Sequence, residues 1–60
     1  MYFVIRKSVN NQYYFTITGA NNEVVATSET YFTKWSAEQT IKSIKHGVNQ
    51  NSLVIDRTYE

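Results

Sequence analysis

Sixty residues make at most one domain, residues 1–60, and a chain this short buries only about 60% of the surface that its unfolded form exposes. With no cysteine and a single histidine, His46, the sequence excludes disulfides, thiolate zinc and multi-histidine metal sites, the usual supports of small domains. The net charge of +1, from six basic and five acidic residues, is too small to demand a polyanionic partner.

What remains to stabilise the domain is a good core or a second subunit. The five Tyr, three Phe and one Trp are more than a disordered chain carries. No apolar run is long enough for a signal peptide or a membrane span, so the expected location is the cytoplasm, with no membrane partner.

Tyr2 to Lys7 is aromatic and β-branched and reads as a strand. A turn follows at Val9–Gln12, then a second strand from Tyr13 to Thr18, a turn at Gly19–Asn22, and a third strand from Glu23 to Ser28. Short connections favour antiparallel hairpins. Period two places Phe3 and Ile5 on one face of the first strand, and Tyr13, Phe15 and Ile17 on one face of the second. For these sets to meet, Ile5 must oppose Phe15 and Phe3 must oppose Ile17. A two-residue turn at Asn10-Asn11 would slip the register by one and turn the apolar set over. The first loop is therefore expected to have three or five residues, with an asparagine in the left-handed region. The second is expected to be a two-residue turn at Asn21-Asn22, setting Ala26 opposite Ile17.

Beyond Ser28 the period changes. Ser36-Ala37-Glu38-Gln39 has the form of a capping box, and Ala37, Ile41, Ile44 and Val48 recur on one helical face. Glu38 precedes Lys42 by four residues, a favourable solvent-side pair. Lys45 and His46 suit the negative end of the helix dipole, and Gly47 suits a left-handed C-terminal cap. The helix is predicted over 37–46, and Leu53 to Arg57 as a fourth strand. The fold class is α+β: a three-stranded antiparallel meander, one helix across one face and a C-terminal strand, in the order β-β-β-α-β.

The runs Gln12-Tyr13-Tyr14-Phe15, Ala20-Asn21-Asn22-Glu23-Val24-Val25 and Thr27-Ser28-Glu29 with Tyr31, followed by Lys34, Ser36-Ala37-Glu38, Ile41 and Ile44, resemble the YegP-like family. These are short bacterial domains of unknown function. The resemblance runs from Phe3 to about Ile55. It implies a β-β-β-α-β unit, two of which build one continuous sheet by exchanging C-terminal strands. One chain with one unit then implies a homodimer, with Leu53, Val54 and Ile55 in the exchanged strand. Asn22 departs from the pattern, standing where a glycine would complete an Asn-Gly turn, and Trp35 and Thr40 replace smaller residues. The family carries over no catalytic residues and no cofactor.

Several residues invite a functional reading. Glu29, Tyr31 and Lys34 lie together where the third strand leaves the sheet. They suit a small polar ligand site, and equally a loop pinned by hydrogen bonds; the second is favoured, because ordered loops need such bonds. Trp35 suits a partner contact or the entrance of the helix, and His46 a surface position at the helix end. Neither a carboxylate pair nor a Gly-rich phosphate loop is present, so no enzyme is expected.

Tyr2 and Tyr14 share the sheet face away from the helix. With Arg6, Lys7, Lys42, Lys45 and Arg57 they suit a nucleic-acid platform. The weak charge and the lack of an RNP-like motif count against it. The favoured expectation is a non-enzymatic homodimeric module for protein interaction or structure. Nucleic-acid binding, or a small ligand near the sheet end, is the alternative.

Overall fold

The computed structural model describes residues 1–59; Glu60 lies outside it. Strands β1 (Tyr2–Lys7), β2 (Tyr13–Thr18) and β3 (Val24–Thr27) form an antiparallel sheet in the order β1-β2-β3, followed by helix α1 (Lys34–Gly47).

The β1–β2 register follows from the apolar pattern. Ile5 pairs with Phe15 and Phe3 with Ile17. The loop between them has three residues, Val9 to Asn11. Ser8 N–H donates to the Gln12 carbonyl at 2.8 Å and Asn11 N–H to the Ser8 carbonyl at 3.2 Å. Asn11 takes φ 63°, the left-handed residue that such a loop requires.

The second turn differs from the expected two-residue form. It repeats the first: Gly19 N–H donates to the Glu23 carbonyl at 2.8 Å, Asn22 N–H to the Gly19 carbonyl at 3.0 Å, and Asn22 takes φ 64°. The loop is therefore Ala20–Asn22, one residue longer than predicted. A bulge absorbs the extra residue, because Thr18 pairs with Val24 while Ile17 still pairs with Ala26. Two errors of one residue cancel, so Ala26 keeps its expected partner.

The helix begins earlier than the capping box at Ser36 predicted. Thr33 is the N-cap, and its Oγ1 accepts from Ser36 N–H at 3.1 Å and donates to Ser36 Oγ at 2.9 Å. Thr33-x-x-Ser36 thus takes the role assigned to Ser36-x-x-Gln39, and Trp35 lies inside the first turn rather than before the helix. Gly47 is also not a left-handed cap: no glycine has positive φ, Gly47 is helical and Val48 caps the end.

The core is thin. Phe15 and Ala37 are its buried apolar residues, at 3% and 0% exposure. Phe15 meets Phe3 edge-on at 6.0 Å and stacks on Tyr31 at 6.2 Å. Ile41 and Ile44 are half-buried and Val48 is exposed. Helix α1 packs on β1 and β2 and not on β3.

The predicted fourth strand does not form within the chain. Residues 53–57 carry no ladder, and Leu53, Val54 and Ile55 are 89%, 94% and 69% exposed. A strand needs an edge to pair with, and after the turn at 49–52 the segment pairs with none of the three strands.

Candidate interaction surface

Two regions hold most of the residues singled out from the sequence, and packing creates a third. The first is the corner after β3. Ser28 closes the ladder with its side chain: Phe15 N–H donates to Ser28 Oγ, and Ser28 Oγ donates to the Glu29 carbonyl at 2.7 Å. Tyr31 exchanges both backbone hydrogen bonds with Tyr13, and its ring stacks on Phe15. Tyr31 thus supports the core, whereas Glu29, Lys34 and Trp35 are exposed, as is Phe32.

The second region is the sheet face away from α1. Tyr14 is half-buried there, opposite Arg6. Tyr2 reaches across the sheet, its hydroxyl donating to Asn22 Oδ1 at 2.8 Å. Thr16 and Thr18 are buried on the central strand, and Thr16 Oγ1 has no hydrogen-bond partner among the described residues.

The third region was not recognised in the sequence. Two adjoining grooves share Phe3 and Ile5 and form one trough along β1, on the side of α1. The larger groove, about 780 Å³, reaches Met1, Tyr2, Glu38, Ile41, Lys42, Lys45 and His46. The smaller reaches Arg6, Lys7, Tyr13 and Lys34. The floor is apolar and the rim basic: five of the chain's six Lys and Arg line it, with Glu38 the one carboxylate. Lys7 lies over the Tyr13 ring at 5.7 Å, and none of the five forms an ion pair among the described residues. The expected Glu38–Lys42 pair is therefore not closed. The signal was present as Lys34, Glu38, Lys42 and Lys45 at spacings of four, four and three, one helical stripe. That this stripe faces β1 is a consequence of packing.

The trough also bears on the nucleic-acid reading. Lys42 and Lys45 line it on the side of α1, while Tyr14 lies on the opposite face of the sheet. Among the described residues no three His, Cys, Asp or Glu side chains gather as metal ligands, and no helix is long and apolar enough to cross a membrane. Asp56 Oδ1 accepts from Thr58 N–H at 3.0 Å. That bond holds its carboxyl below the usual carboxylate range, so it is charged at neutral pH.

A family model described as a domain of unknown function, DUF1508, matches residues 8–53. The chain belongs to this family. Members similar to it include the UPF0339 protein YegP of Yersinia pestis, 37% identical over 51 residues, which cover 85% of this chain and 46% of the relative. YegP of Escherichia coli K12 is 41% identical over 57 residues, 95% of this chain and 52% of the relative. The chain thus spans about half the length of these curated DUF1508 relatives. Among solved structures, an NMR solution structure of a protein from Haloferax volcanii is similar in fold, with a TM-score of 0.76 and 25% identity over 92% of each chain. The YegP-like resemblance is confirmed, and the function of the family is unknown.

Proposed function

We propose that this DUF1508 chain acts as a homodimeric, non-enzymatic interaction module in which the segment around Leu53–Ile55 completes the sheet of a second copy. The observation that carries this reading is surface area. The chain exposes 5208 Å², whereas a compact monomer of 7.0 kDa exposes about 4,000 Å². The surplus of about 1,200 Å² per chain is the scale that obligate dimers bury.

The surplus is apolar where an interface would need it. Leu53, Val54 and Ile55 are exposed together, and Phe32, Trp35 and Val48 add to them. Both outer strands, β1 and β3, have one unpaired edge. The curated relatives have length for two units in one chain; here a second copy would supply the other. The cysteine-free composition fits a reducing compartment, so we place the module in the cytoplasm.

The test is solution mass by sedimentation at low micromolar concentration, on the full chain and on a version ending at Asn49. The expected result is a dimer for the full chain and a monomer, or an unfolded chain, for the shortened one. A full chain that sediments as a folded monomer overturns the reading.

A further inference from the structure

We infer that the trough between β1 and α1 binds single-stranded nucleic acid, with lysines on its rim taking the phosphates and its apolar floor taking the bases. The site lies within one chain, on the opposite side of the sheet from Tyr14. It goes beyond the homodimer reading and does not rest on it.

The first observation is where the charge lies. The net charge of +1 conceals a segregation. Lys7 of β1 and Lys34, Lys42 and Lys45 of α1 line the trough. All four are exposed, and none forms an ion pair among the described residues. Glu38 is the one carboxylate beside them, while Glu23, Glu29 and Asp56 lie elsewhere. Unneutralised lysines around a concavity attract a polyanion far more strongly than the net charge of the chain suggests.

The second observation is the floor. Phe3, Ile5, Tyr13 and Ile41 are half-buried, so apolar and aromatic surface lies open at the foot of the lysines. Lys7 Nζ stands 5.7 Å from the centre of the Tyr13 ring. Cation and ring together are the two elements that single-strand sites combine. From Lys34 to Lys45 the helix rises about 16 Å, which a stacked strand at about 3.4 Å per nucleotide covers with about five nucleotides.

Other polyanions match only part of the trough. Polyphosphate or a run of acidic residues suits the rim and brings nothing to the floor. A duplex keeps its bases inside, and an anionic bilayer presents a plane that does not enter a recess. Pairing at the free edge of β1 engages main-chain groups rather than these side chains.

Fluorescence anisotropy of a labelled oligothymidylate of about 12 nucleotides tests this on the full chain. The expected result is binding whose log affinity falls with log salt at a slope of about −3, as phosphate contacts from the four lysines predict for a single strand. No binding at low salt overturns the site. Displacement of the strand by polyglutamate or polyphosphate at equal charge overturns nucleic acid as the occupant. So does tighter binding of the matching duplex or of phosphatidylserine vesicles.

Lys42→Gln with Lys45→Gln, shown to be folded by circular dichroism, is expected to weaken binding about tenfold and to halve the salt slope. Arg57→Gln, outside the trough, is expected to change neither. A folded lysine variant that binds like the parent, or an equal loss from Arg57→Gln, overturns the placement. If the lysine variant does not fold, ultraviolet crosslinking of the oligothymidylate to the unaltered chain decides. Adducts are expected within 1–7 or 34–46 or on Tyr13, and adducts only outside these residues overturn the trough. Sedimentation of the unbound chain judges the homodimer separately: a monomer that still binds the strand removes that reading and leaves this one.

Discussion

The chain begins and ends with segments of similar character. Tyr2–Lys7 and Leu53–Arg57 are both rich in β-branched or aromatic residues, and each adjoins a turn. The first pairs along its whole length with β2 and turns Phe3 and Ile5 toward α1; the second carries no ladder, and its three apolar side chains are open to solvent. Composition shows that a segment needs an edge. The three-residue loop at Val9–Asn11 gives β1 an edge at once. The connection after α1 brings Leu53 to none.

The contrast can be tested from both sides. The largest effect is expected at Phe15, which is held between Phe3 and Tyr31 and is one of two buried apolar residues among those described. Phe15→Ala should cost about 3–5 kcal/mol, and with so thin a core the chain should lose its cooperative thermal transition. A sharp transition within a few degrees of the parent would mean that the core lies elsewhere.

Next comes a matched pair, Ile5→Asp and Ile55→Asp. A charge at Ile5 enters the apolar floor of the trough and should abolish folding, as read by circular dichroism. The same change at Ile55 should leave helicity intact while sedimentation reports a monomer. If both variants behave alike, the two segments are equivalent and the contrast between them fails.

A smaller effect separates the two readings of the helix start. Thr33→Ala removes the observed cap and should cost about 1 kcal/mol in chemical denaturation, whereas Gln39→Ala, at the position that the sequence favoured, should be close to neutral. The smallest change is a gain. Gly47 is helical, and a Cβ there meets nothing within 4 Å, so Gly47→Ala should stabilise the domain by about 0.5–1 kcal/mol. A loss would show that Gly47 needs its freedom in solution.

The parts legible from sequence were those fixed by apolar pattern. Ile5 opposite Phe15 is the register that keeps both strands facing α1, and the asparagine in the first loop followed from it. The second loop was misjudged because Asn21-Asn22 fits a two-residue turn, and the bulge that compensates leaves Ile17 and Ala26 in place. The helix start was misjudged because two overlapping boxes compete, and Ser36 serves as the third residue of one rather than the cap of the other. The bond pattern joining Tyr31 to Tyr13 spans a loop with no periodicity, so nothing local announced it. The trough was least legible, since Arg6 and Lys7 meet Lys34, Lys42 and Lys45 only after sheet and helix pack.

That α1 leaves β3 uncovered also bears on motion. All four residues of β3 are exposed, and it is tied to the molecule by a single ladder with a bulge in it. Peeling β3 away breaks no helix contact, so its amides can exchange with solvent through a local opening, well short of global unfolding. The amides shared by β1 and β2 belong to the strands that α1 packs against, so their exchange is expected to be slower than that of β3. The domain is therefore expected to divide into a slow half and a fast half in hydrogen exchange, with the boundary along β2.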